Sequence, residues 1–158
     1  MPPENVDALA LVARQSPIPV ATGERLFGRH GFRELLEKQA AVIIQPDPCH
    51  AGGLLETKKI AAMAEPYYLC LAPHNPNGPV ATAVCLHIAA CTPNFLILET
   101  TLDQGAPWRD EMLTNPLAVS QGLMPLPSGP GLGIELNVAA FARHPYQPRT
   151  RFLIAEGA

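Results

Sequence analysis

The chain has little charge. Asp, Glu, Lys and Arg make up 16% of its 158 residues, against the usual quarter or so. It has no basic surplus either. Eleven basic residues face 14 acidic ones and no Lys/Arg run occurs, which excludes a phosphate-backbone binder: no nucleic-acid partner is expected. Long apolar runs are missing. The longest fall far short of the roughly 20 residues that a membrane span requires, so no membrane partner is expected. Met1 is followed by Pro-Pro-Glu, not by a basic and then an apolar stretch, so no secretory signal is read here and a cytoplasmic location is expected. The four cysteines, Cys49, Cys70, Cys85 and Cys91, include no C-x-x-C pair, which argues against a zinc site. Cys70, Cys85 and Cys91 lie in apolar surroundings and read as buried thiols in a reducing compartment.

What is present is apolar content and proline. Hydrophobic residues make up 47% of the chain, enough for one core, and with a net charge of -3 this excludes disorder by charge. Proline supplies 18 residues, roughly double the ordinary share.

Periodicity predicts an alternation. Glu4 to Gln15 places Val6, Leu9, Ala10 and Ala13 on one helical face. Pro17 to Ala21 reads as a buried strand. Gly31 to Gln39 carries Phe32, Leu35 and Leu36 at helical spacing. Ala41 to Gln45 is a β-branched run expected to be covered on both faces. Gly52-Gly53 opens a helix that Pro66 closes. Leu69 to Ala72 is a third short run. Val80 to Ala90 is apolar nearly all round and should be a buried helix. Phe95 to Leu98 is a fourth run. Strand, helix, strand, helix points to an α/β fold with a parallel sheet built from right-handed crossovers.

After Thr100 the rhythm breaks. Gln104 to Thr114 is polar. Gly129-Pro130-Gly131-Leu132-Gly133 reads as a turn, since it lacks the Lys-Ser/Thr of a phosphate loop. Ile134-Glu135-Leu136 is a candidate last strand. Residues 137–158 are expected to form an irregular tail, mobile from His144 onward.

Each apolar run is followed by an ionisable residue: Glu24, Asp47, His74 and Glu99, spaced 23, 27 and 25 residues apart, about one strand-helix unit each time. In parallel α/β sheets the site lies at the carboxyl ends of the strands, so these four groups should converge. Taken singly, each has an ordinary explanation. Glu24 beside Arg25 suits a surface ion pair, Asp47 after Pro46 suits a helix cap, and His74 suits a loop. Their common register favours a shared role. His50, three residues past Asp47, is a candidate substrate contact. His87, inside the apolar helix, reads as a packing residue.

The segments Ile18-Pro19-Val20-Ala21-Thr22-Gly23-Glu24-Arg25, Ile43-Ile44-Gln45-Pro46-Asp47, His50-Ala51-Gly52-Gly53, Ala72-Pro73-His74-Asn75-Pro76 and Pro93-Asn94-Phe95-Leu96-Ile97-Leu98-Glu99, in this order and spacing, resemble the carboxyl-terminal barrel domain of the enolase superfamily. The resemblance is to the mandelate racemase group and, within it, to sugar-acid dehydratases of the galactonate-dehydratase type. It extends from about Glu4 to Leu136, and Pro127 to Ile134 resembles the family's closing segment. It implies a partial TIM-type barrel, with residues 1–136 supplying about four parallel βα units, the carboxyl-terminal half.

It also implies roles. Glu24 matches one of three carboxylates that bind Mg²⁺. Asp47 and His74 match an Asp-His dyad. Glu99 matches the acid that stabilises an enolate-like intermediate. Together with the candidate substrate contacts Arg25 and His50, these would serve a Mg²⁺-dependent lyase that dehydrates a sugar acid. A proton α to a carboxylate is weakly acidic, and a divalent cation offsets the charge left by its removal. The same set suits a racemase or cycloisomerase, since these share the proton-abstraction step. An inactive remnant serving only as an interaction domain is the non-catalytic alternative.

The sequence departs from that pattern in extent. A closed barrel of this kind takes about 250 residues. The first two metal carboxylates have no counterpart here, and by the family's spacing the second should fall just upstream of Met1. One carboxylate is a poor Mg²⁺ site, because hard cations hold on through several oxygens. Half a barrel also leaves open sheet edges, so self-association, or association with a missing amino-terminal half, is expected.

Overall fold

The computed structural model describes residues 4–101 and 107–146. Helix α1 (Val6–Gln15) starts where the side-chain oxygen of Asn5 accepts from the Ala8 N–H at 3.0 Å, which satisfies one of the free amides of its first turn. Three βα repeats follow: β1 (Ala21–Thr22) and α2 (Gly28–Glu37), β2 (Ile43–Ile44) with α3 (Pro48–Ala51) and α4 (Gly53–Ala64), then β3 (Cys70–Leu71) and α5 (Pro79–Ala90). The strands form one parallel sheet in the order β1-β2-β3, with Ala21 opposite Ile43 and Ile43 opposite Cys70. This is the expected α/β architecture.

The core lies between the sheet and the helices. Phe32, Leu35 and Leu36 of α2 turn the same face inward, as their spacing predicts, and meet Ile44, Ile60, Leu71 and Ile88. Pro79 occupies the first turn of α5, where its missing N–H costs nothing. Ala81, Thr82, Ala83, Cys85, Leu86 and Ile88 are buried, which matches the helix expected from the apolar stretch.

Several expectations need correction. Regular pairing is shorter than the apolar runs. The strand expected over Pro17 to Ala21 forms at Ala21–Thr22, and Ile18 is exposed because it precedes the ladder. Val42 is half exposed, so the second run is not covered on both faces. Phe95 makes a single parallel bridge to Leu71, leaving Leu96 and Ile97 exposed. Among the described residues the fourth unit is therefore a bridge with no α-helix directly after it, and the segment Pro107–Met112 winds as a 3₁₀ turn. Leu136 pairs with Leu113, antiparallel and outside the sheet. Residues 137–146 are not wholly irregular. Val138–Arg143 forms α6 and buries Ala140. Cys91 is exposed because it sits just past the end of α5, while Cys85 is buried within it. The rest of the expected tail, residues 147–158, lies outside the described residues, as do 102–106 of the polar segment. No helix among the described residues is long and apolar enough to cross a membrane.

Candidate active site

The carboxyl ends of β1, β2 and β3 open into a cleft of about 570 Å³ lined by Glu4, Glu24, Arg25, Phe27, His50 and His74. Each strand contributes one ionisable group within three residues of its end: Glu24 after β1, Asp47 after β2 and His74 after β3. Parallel pairing in register carries these three to one side of the sheet.

Gly23 makes the first placement possible. Its φ is +137°, and a Cβ there would come within 2.9 Å of Phe32 Cε1 and 3.0 Å of the Gln45 backbone nitrogen. Only glycine lets the chain turn this tightly against β2 and deliver Glu24 to the cleft. Asp47 caps α3, its Oδ1 accepting from the Cys49 N–H at 2.8 Å. His74 leaves β3 in a Pro-His-Asn-Pro segment whose backbone is tied back, the His74 N–H donating to the Pro46 carbonyl at 3.2 Å.

The side chains meet. His74 Nδ1 lies 3.0 Å from Asp47 Oδ2, and His74 Nε2 lies 3.2 Å from Glu24 Oε2. Asp47 is fully buried, His74 mostly so, and Glu24 is half exposed. Burial pushes the Asp47 carboxyl up. Hydrogen bonds from the Asn77 amide, the Cys49 N–H and His74, with the His50 charge, outweigh burial and hold it below the usual carboxylate range. An ionised Asp47 behind the imidazole fixes the orientation of the ring.

The other expected residues are placed differently. His50 Nδ1 is 3.8 Å from Asp47 Oδ2, so His50 flanks the pair at its open side. Arg25 lines the cleft but is engaged by Glu4 at 2.5 Å, with both side chains exposed. Glu99 does not line the cleft. It lies at the next strand position, where its Oε2 accepts from the Asn75 N–H at 3.4 Å and its carbonyl from the Asn75 side chain at 3.2 Å. Two contacts around the pair went unread in the sequence. Asn75, fully buried, bridges Glu99 and Thr82, and the Asn77 amide donates to Asp47 Oδ2 at 2.9 Å. Their signal was the clustering of asparagines around His74 in a proline-rich loop.

The metal-binding test fails for this chain alone. Glu24 is a single carboxylate facing an imidazole, and no group of three or more His, Cys, Asp or Glu among the described residues is arranged to hold an ion. Mg²⁺ needs several oxygen ligands. No metal-assisted step is therefore assigned to these residues.

The sequence profile of the enolase C-terminal domain-like family matches residues 1–140. The chain belongs to that family. Among curated proteins it is 40% identical over 152 residues to the D-xylonate dehydratase of Haloferax volcanii, covering 96% of this chain and 37% of that protein. It is 40% identical over 141 residues to the D-galactonate dehydratase of Ralstonia nicotianae, covering 86% of this chain and 37% of that one. Among solved structures, the mandelate racemase/muconate lactonizing enzyme from Sulfitobacter sp. superposes with a TM-score of 0.87 at 42% identity, over 94% of this chain and 37% of that chain. The chain thus spans little more than a third of the length of the curated relatives it matches.

Proposed function

We propose that this chain carries the Asp-His part of a sugar-acid dehydratase site. The observation that supports this reading most is the Asp47–His74 pair, 3.0 Å apart at the ends of neighbouring strands, with the imidazole's other nitrogen turned toward a polar cleft. The names of the two curated relatives supply the substrate class, an aldonic acid such as D-xylonate or D-galactonate.

Dehydration of such an acid removes the proton at C2 and the hydroxyl at C3, giving an enol that becomes a 2-keto-3-deoxy acid. Hydroxide is a poor leaving group, so it must leave with a proton. His74, oriented by Asp47, donates that proton from Nε2 as the C3–O bond breaks, and the departing group is water. An imidazole is the side chain suited to giving and regaining a proton near neutrality. Arg25, released from Glu4, is the cleft's guanidinium for a substrate carboxylate. Glu24 would offer one oxygen to a Mg²⁺ ion, which would offset the charge left by loss of the C2 proton and would need further oxygen ligands. The C2 proton passes to a separate base.

The test is keto-acid formation from D-xylonate or D-galactonate, with Mg²⁺ present, by this chain combined with a polypeptide supplying the preceding barrel units of a relative. Appearance of a 2-keto-3-deoxy acid is expected. No product from either acid, with both polypeptides shown to be folded, overturns the reading.

A further inference from the structure

Asp47 Oδ2 faces two partners at once. His74 Nδ1 lies 3.0 Å away and the Asn77 side-chain nitrogen 2.9 Å away, while Oδ1 accepts from the Cys49 N–H at 2.8 Å. A carboxylate held at one oxygen can still turn about its Cβ–Cγ bond. Held at both oxygens by donors from two different elements, its plane is fixed. We propose that Asn77 is a positioning residue for the Asp47–His74 pair, its amide locking the carboxylate plane against which the imidazole is aligned.

The backbone around Asn77 is built to keep the amide in place. Two residues upstream, buried Asn75 donates to Thr82 Oγ1 of α5 at 2.9 Å. Two residues downstream, Pro79 opens α5 with its φ fixed by the ring. Asn77 is thus clamped between two anchors on the same helix. It also borders a mostly apolar cavity of about 470 Å³ lined by Leu54, Val80, Val84, Trp108, Met112 and Phe141. Asp47 itself is closed to solvent, so bulk water does not stand in for the amide. Glu24 at His74 Nε2 and His50 beside Asp47 Oδ2 complete the charged surroundings of the pair, and neither fixes the carboxylate plane.

This inference rests on the dehydratase reading only for its chemical meaning. Its test needs no substrate, so the two fail separately. The probe is the ring Nδ1–H of His74, followed by ¹H–¹⁵N NMR in the full chain. In the parent protein this proton is expected to exchange slowly with water because Asp47 holds it. Asn77→Leu, which removes the donor at similar volume, is expected to speed that exchange about tenfold, the order of one charge-assisted hydrogen bond. The amide of Ile44, deep in the core, is expected to keep its rate. If Asn77→Leu does not fold, Asn77→Ala serves with the same expectation. An unprotected Nδ1–H in the parent chain overturns the proposal. So does an unchanged rate in the variant, or an acceleration matched by the Ile44 amide, which would mark general destabilisation.

Discussion

Replacing Asp47 by alanine removes an acceptor that three groups use. The Cys49 N–H, whose bond to Asp47 is the cap of α3, and the Asn77 amide lose a charge-assisted partner. A helix cap contributes about 1 kcal/mol. A buried donor left without a partner costs about 1–3 kcal/mol. Cys49 is exposed and Asn77 half-buried, so both donors recover part of this through water and a total near 3 kcal/mol is expected. With a urea slope of about 2 kcal/mol/M, the midpoint should fall by about 1.5 M. The loss must also depend on pH. The folded Asp47 carboxyl holds its proton less tightly than the unfolded one, so its stabilisation is complete above the unfolded value of about 3.9 and fades as pH falls through the lower folded value. The assay is urea unfolding of both proteins at one fixed protein concentration, at pH 6 and again near pH 3. A midpoint difference at pH 6 that shrinks near pH 3 is expected. A difference below about 0.3 M at pH 6, or one equal at both pH values, would refute the reasoning.

Gly23→Ala should destabilise the chain by about 2 kcal/mol or more, since the new methyl meets Phe32 and the Gln45 backbone at a φ that alanine rarely adopts; an unchanged melting temperature would count against the tight turn. Thiol labelling at pH 8 should modify Cys91 rapidly and spare Cys85, whose thiol burial, with Asp47 and Cys49 adding, pushes up to about 12; equal rates would contradict this. Light scattering should show association that grows with concentration, because Leu96 and Ile97 flank an edge paired only at Phe95; a monomer at all concentrations would show that the edge is self-sufficient. Calorimetric titration with Mg²⁺ should give no saturable heat up to roughly 1 mM, given a single carboxylate donor; saturation below that would reveal ligands the structure does not bring together.

The parts of the fold that depend on local pattern were legible. Phe32, Leu35 and Leu36 specified the inner face of α2, and Pro79 with the apolar run after it specified α5. The convergence of Glu24, Asp47 and His74 was legible for a similar reason: each follows a short apolar run, and parallel pairing in register carries all three to the same side. Strand length was not legible. Ile18, Val42 and Ile97 are as β-prone as the residues that do pair, and only neighbouring strands decide which of them enter the ladder. Glu99 followed its apolar run like the others, yet its strand position makes one bridge, and the side chain is held at Asn75 instead of opening into the cleft. Asn77 went unread because asparagine in a proline- and glycine-rich loop is ordinarily a turn former. Its bond to Asp47 depends on the approach of two segments 30 residues apart.

The central claim is that His74, aligned by Asp47, moves the proton that lets the hydroxyl depart. It is tested most directly by comparing keto-acid formation from D-xylonate or D-galactonate between the assembled parent enzyme and its His74→Asn variant. The account predicts a loss of roughly 10²–10⁴-fold in kcat, the usual scale of a general acid-base group, with substrate still bound. A variant that turns over within about threefold of the parent would contradict it.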